Sequence, residues 1–278
     1  MLKLVILIIY FAVLIGIGLY CRKHATDVNG FVLGGRSVGP WLTAFAYGTS
    51  YFSAVVFVGY AGQFGWRYGI AATWAGIGNA IIGSLLAWVV LGRRTRIMSQ
   101  HLDSATMPQY FGKRFGSNPL KIGASVIIFI FLIPYTASLY NGLSRLFGMA
   151  FNIDYSVCII IMATLTAIYV IAGGYMATAI NDFIQGIIML FGIVAVIAAV
   201  IHSKGGFMSA LQGLANVSDP AVSDTPGIFA SFFGPDPFNL LCVVILTSLG
   251  TWGLPQMVQK FYAIDNEASI QKGTVIST

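Results

Sequence analysis

A-Y-G-T-S-Y-F-S-A-V-V-F-V-G, residues 46–59, is the stretch on which the reading of this chain turns. It lies in a segment apolar enough to cross a bilayer, yet Gly48, Thr49, Ser50, Tyr51 and Ser53 crowd its middle. Glycine and small hydroxylated residues weaken a helix, and lipid offers no water to replace lost backbone hydrogen bonds. The stretch therefore predicts a membrane helix that is breakable at its centre.

The chain around it has 278 residues, 57% of them hydrophobic and 9% charged, with a mean hydropathy of +0.83. Soluble domains carry roughly 25% charged residues, so this composition indicates an all-α integral membrane protein. Apolar runs of about 20 residues recur, each long enough for one helical crossing. Short alternating segments of the outer-membrane barrel kind do not occur. About seven spans are expected, at residues 2–20, 41–62, 70–91, 122–149, 155–172, 183–201 and 238–259. The first is longer than the apolar part of a signal peptide, lacks a small-x-small cleavage site and is followed by Arg22 and Lys23, so it reads as a retained span.

The net charge is +6, but the bases sit between spans and serve as topology signals, so no nucleic-acid partner is implied. With the N-terminus outside, Arg22, Lys23, Arg36, Arg93, Arg94, Arg96, Lys113, Arg114, Lys121, Lys260 and Lys272 are cytoplasmic, and only Lys3, Arg67, Arg145 and Lys204 are external. The positive-inside rule thus predicts a multi-pass protein of the cell (inner) membrane with a cytoplasmic C-terminus. Residues 92–121 read as an inner loop carrying the amphipathic piece M-P-Q-Y-F-G-K-R-F-G, suited to lie along the inner membrane surface. Residues 202–237, with several Asp and Pro, read as an outer loop.

Enzyme chemistry finds little support. His24, His101 and His202 lie in loops, no H-E-x-x-H occurs, and Asp182 stands in I-N-D without a paired aspartate. Cys21, Cys158 and Cys242 lack metal-ligand or disulfide spacing and read as small packing residues. A channel is a second alternative, because hydroxyl-lined broken helices also build filters; spans without a ring of like charges weigh against it.

The last span repeats the feature of residues 46–59. T-S-L-G-T-W-G-L-P-Q, residues 247–256, places Gly250, Gly253 and Pro255 in a membrane segment and predicts an interruption near Gly253 and Leu254. Small residues in single spans often only let helices approach closely. Two interrupted spans at corresponding positions point instead to the binding site of a secondary transporter. Asp182 is the one acidic residue at a span edge, a candidate either for function or for capping a helix that starts there.

F-V-L-G-G-R-S-V-G-P-W (residues 31–41), the opening stretch, I-Y-V-I-A-G-G-Y-M-A-T-A-I-N-D-F-I-Q-G (168–186) and G-L-P-Q-M-V-Q-K-F (253–261) together resemble the sodium:solute symporter family, nearest its sodium/proline and pantothenate branches. The resemblance runs over residues 1–278, but the family has about 13 spans. It implies a partial symporter domain: the N-terminal part of the 5+5 inverted-repeat fold named for the bacterial leucine transporter, with one extra N-terminal helix. Span one is then the extra helix, spans two to six the first repeat, and span seven the start of the second. The missing C-terminal half would be supplied by further chain. The resemblance implies sodium-coupled symport of a small organic solute, an amino acid such as proline or a carboxylate such as pantothenate; a proton-coupled carrier is the alternative.

By matched position, sodium, the implied coupling ion, falls to the carbonyls of Thr49 and Phe52 and to Ser53. The solute falls to Ser50, Tyr51, Tyr135, Thr247, Thr251 and Trp252. Asp182 falls on the ion-exit path, and Gly48, Gly253 and Pro255 form the helix breaks. Tyr51 stands where the proline branch has aspartate, Val55 where it has tryptophan, and Thr247 and Thr251 where it has aromatics.

Overall fold

The computed structural model describes residues 2–52 and 60–278; Ser53 and Val55 lie outside the described residues. The first elements are α1 (Leu2–Cys21), the short α2 (Val28–Leu33) and α3 (Pro40–Tyr51). After them α4 (Ala61–Tyr68) turns sharply at Gly69 (φ 59°, ψ −139°) into α5 (Thr73–Gly78). Two π-helical stretches, Asn79–Leu86 and Trp88–Gly92, carry α5 into α6 (Arg93–His101). Seven more helices follow: α7 (Met107–Phe115), α8 (Asn118–Phe151), α9 (Tyr155–Ser203), α10 (Phe207–Ala215), α11 (Pro237–Leu249), α12 (Pro255–Ala263) and α13 (Glu267–Ser277). Among the described residues β structure is limited to two isolated bridges, Val38 with Ile264 and Asp219 with Ser223.

Ala61–His101, Asn118–Phe151 and Tyr155–Ser203 are each long and apolar enough to cross a membrane, as is the bent pair Pro237–Gly253 and Pro255–Ala263. Val5–Cys21 is a shorter apolar helix. Apolar side chains point outward along these helices: Phe129 and Phe131 on α8 and Ile171 and Phe191 on α9 are about 70% exposed. Polar Thr43, Asn79, Ser144, Asn181 and Ser248 are buried. This inversion suits a solvent of hydrocarbon, in which apolar surface costs nothing and polar groups must be satisfied internally.

The expected spans 155–172 and 183–201 meet at one residue, Gly174, whose φ of 58° and ψ of −150° fall in a region essentially reserved for glycine. Before it the helix tracks α1, with Tyr169 and Gly173 against Gly18. After it the chain doubles back, bringing Asp182 within electrostatic reach of Tyr10 and Tyr169 and Gly186 against Phe45 and Thr49 of α3. A Cβ on Gly174 would lie 2.8 Å from the Phe31 carbonyl oxygen, so the turn is sterically as well as conformationally closed to other residues.

Residues 92–121 are less loop-like than the sequence predicts. The helix runs through the basic residues to His101, because Arg96, only 4% exposed, donates to the carbonyls of Ile264 (2.6 Å) and Asp265 (2.9 Å) just beyond α12. Hydropathy reads Arg96 as a loop charge; the fold satisfies it with main-chain oxygens. Arg36 does the same from the turn before α3, donating to Tyr262 O, Ser99 O and Ser104 O. Burial pulls the Arg36 guanidinium below the ordinary arginine value, and Asp103 and Tyr262 oppose that shift. Within 92–121, α7 forms as expected between the Thr106 cap and a left-handed Gly116.

Gly174→Ala is expected to destabilise the protein by about 1–3 kcal/mol through backbone strain alone. Gly16→Ala is the control, because nothing lies within 4 Å of an added Cβ there. Thermal aggregation of the detergent-solubilised protein, followed by size-exclusion chromatography, should show a lowered midpoint for the first and an unchanged one for the second.

Candidate functional site

Two helix interruptions build the site. α3 ends at Tyr51, and Phe52 leaves helical geometry (φ −89°, ψ 60°) while its N–H still reaches Gly48 O at 2.8 Å. Gly48, expected at the break, is itself helical; the chain leaves the helix four residues later, where hydroxylated and aromatic side chains follow one another. In the second interruption α11 tightens into the 3₁₀ turn Gly250–Gly253, Leu254 is extended (φ −68°, ψ 126°), and Pro255 opens α12 at a bend of 52°. The proline ring excludes Leu254 from the helical region, and its missing N–H is harmless in a first turn.

The two interruptions share a cavity of about 790 Å³. Ser50, Tyr51 and Phe52 line it from α3, Tyr60 and Phe64 from around α4, Tyr135 and Ser138 from α8, and Thr247 and Thr251 from the second break. Of the six residues expected to meet solute, the structure brings five to this cavity. Among the described residues no lining residue carries a formal charge. Trp252 stands apart: its indole N–H donates to Ile82 O at 3.0 Å, and its ring packs on the cluster around Tyr47, Trp88 and Phe261. It is thus a strut behind the cavity, because the 3₁₀ turn swings it away from Thr251.

Sequence reasoning missed Asn79. Its side chain is 8% exposed, and its Oδ1 accepts from Tyr51 OH (3.0 Å), Thr247 Oγ1 (3.1 Å) and Ser248 Oγ (2.9 Å). One carbonyl thereby joins both interrupted helices. Asn79 opens the first π-helical stretch, and π turns redirect carbonyls out of the regular ladder. Gly83 O accepts from Tyr47 OH at 3.1 Å, much as Ile82 O accepts from Trp252. Gly83 also leaves room for the Tyr51 hydroxyl, which a Cβ would strike. An asparagine inside an apolar run was the available signal.

Thr49 and Phe52 line a separate cavity of about 250 Å³ with Gly48, where α3 faces Gly186 and Met189 of α9 and the end of α13. The Thr49 hydroxyl donates back to Phe45 O at 2.9 Å. Ser53 lies outside the described residues. No cluster of three or more His, Cys, Asp or Glu exists among the described residues.

Asp182 does not cap a helix. The second half of α9 resumes right after Gly174, so Asp182 lies two turns inside it. Its carboxylate accepts from Lys260 Nζ at 3.4 Å. Lys260, counted from sequence as a loop charge, is 7% exposed on α12 and sits 5.1 Å from the centre of the Tyr175 ring. The pair joins residues 78 apart, which no local pattern reveals.

Interrupted apolar helices around a hydroxyl-lined cavity are the framework of a multi-pass membrane protein. The chain belongs to the sodium:solute symporter family, whose profile matches residues 31–278. It is similar to the osmoregulated proline transporter OpuE of Bacillus subtilis, 31% identical over 259 residues, covering 92% of this chain and 51% of that protein. It is also similar to the sodium/proline symporter of Staphylococcus aureus strain JH9, 32% identical over 282 residues, covering 96% and 51% respectively. The chain thus spans about half the length of these relatives.

Asn79→Leu is expected to strand the Ser248 hydroxyl at a cost of about 1–3 kcal/mol, while the Tyr51 and Thr247 hydroxyls keep the carbonyls of Thr247 and Val243 as acceptors. Tyr51→Phe removes one hydroxyl and leaves Thr247 and Ser248 paired, so its cost is smaller. Melting midpoints of the two purified variants should rank in that order.

Proposed function

We propose that this chain forms the N-terminal part of a sodium-coupled symporter for a small zwitterionic amino acid, with proline the foremost candidate. The observation that carries the proposal is the single cavity shared by both helix interruptions, with five matched solute-facing residues around it. A cavity without formal charges favours a solute neutral overall, since an isolated ion would be left without a counter-charge in a low-dielectric site. That both similar proteins are proline transporters supports the same choice. Ser50, Tyr51, Tyr135, Thr247 and Thr251 would hold the solute. The carbonyls of Thr49 and Phe52, with Ser53, would offer oxygens to sodium, and Asp182 would serve the path by which it leaves. Trp252 would act by holding the second break in place.

In this proposal the chain has seven spans with its N-terminus outside. Gly174 is the turn between the fifth and sixth, and the first repeat covers spans two to six. Alternating access needs two repeats moving around one site, so the remaining partner helices come from further chain.

In proteoliposomes, uptake of labelled L-proline by the full-length transporter should require an inward sodium gradient. Equal uptake with potassium in place of sodium would overturn the coupling and favour protons. Tyr51→Phe and Thr247→Val should each raise KM for the solute by about 5- to 13-fold, the loss of one hydrogen bond at roughly 1–1.5 kcal/mol. Unchanged KM in both would move the solute elsewhere.

A further inference from the structure

The Asp182–Lys260 pair is built unlike a simple structural salt bridge. At 3.4 Å the contact is long for a charge-assisted hydrogen bond, for which about 2.7–2.9 Å is usual. It is also asymmetric: the lysine side chain is 8% exposed and the aspartate side chain 24%. The ammonium has a second partner in the face of Tyr175, 5.1 Å away, on which it can rest with the carboxylate removed.

Polar side chains near the pair in sequence, and the tyrosine beneath the ammonium, carry unpartnered atoms. Both amide atoms of Asn181, next to Asp182 and 1% exposed, lack a hydrogen-bond partner among the described residues. The same holds for both amide atoms of Gln256, one turn before Lys260 on α12, and for the Tyr175 hydroxyl. Buried polar groups are nearly always satisfied, and of these orphans the Tyr175 hydroxyl belongs to the ring that faces the Lys260 ammonium. A carboxylate oxygen is a ligand for a hard cation.

The geometry points to Lys260 as a built-in counter-cation for Asp182, whose ammonium a passing sodium ion must displace before the carboxylate can accept it. The inference rests on the sodium-coupled reading above. Lys260 is a positioning residue here: it touches neither solute nor sodium, but sets how tightly Asp182 holds the ion. Because Lys260 lies on α12, the inner half of the second interrupted helix, sodium arriving at Asp182 releases α12 from α9. Sodium leaving restores the tie. The lysine also keeps the site from becoming a sink, since an unopposed carboxylate would hold sodium too long for turnover.

Equilibrium binding of sodium-22 to the purified full-length protein tests this without knowledge of the solute. In Lys260→Gln the amide still donates to Asp182 but no charge competes. The sodium Kd should fall about tenfold, equivalent to about 1.4 kcal/mol. In Asp182→Asn/Lys260→Gln there is no carboxylate to compete for, and Kd should return to the wild-type value or above. Lys260→Arg should stay near wild type. A merely structural pair would change the amount of folded protein and leave Kd in place. An unchanged Kd in Lys260→Gln, or an equal fall in the double variant, would overturn the inference. So would failure of both variants to insert, which would make the pair structural. Absence of sodium binding in the unmodified protein would overturn the sodium-coupled reading first, and this inference with it.

Discussion

A peptide group inside a bilayer has no water to turn to, and the rest of this structure follows from where its chain escapes that rule. A helix satisfies every N–H and carbonyl internally; to interrupt one, the protein must supply other partners at the interruption. At Leu254 proline removes a donor outright and the preceding 3₁₀ turn absorbs part of the rest. At the end of α3 the same role falls to a run of hydroxyls and aromatics. Both gaps open onto one cavity because Asn79 draws them together, its carbonyl shared by Tyr51, Thr247 and Ser248.

The π-helical stretches give that hub its position. A π turn loosens the regular ladder and presents carbonyls sideways, and donors from both interrupted helices use them: Tyr47 on Gly83 and Trp252 on Ile82. The scaffold between the two breaks is therefore itself irregular. Its irregularity is filled by side chains from the elements it supports, so the breaks and their support stabilise one another.

What could be read in the sequence divides along the range of the interactions involved. Apolar runs, the proline break and the hydroxyl-rich centre of residues 46–59 are local signals, and they mark out the helices and the walls of the cavity. Asn79 is visible as an oddity in an apolar run, but its three partners come from α3 and α11 and depend on packing. Lys260 reads as a loop base because hydropathy weighs composition alone; its partner Asp182 is brought to it only by the reversal at Gly174. Trp252, next in sequence to a cavity residue, faces away because a 3₁₀ turn advances side chains by a larger angle per residue than an α-helix does. The register of the π stretches has no sequence signature of its own.

The two arginines near the end of α12 differ from the other basic residues in what they hold. Arg67 and Arg93 meet carboxylates at exposed positions, while Arg36 and Arg96 bind mostly main-chain carbonyls in partly buried ones. Mobile ions screen an exposed charge pair strongly and a buried hydrogen bond to a neutral carbonyl far less. α12, the latter half of the second interrupted helix, is thus anchored by attachments that respond little to ionic strength. Joints of this kind stay fastened as the salt on either side of them rises and falls.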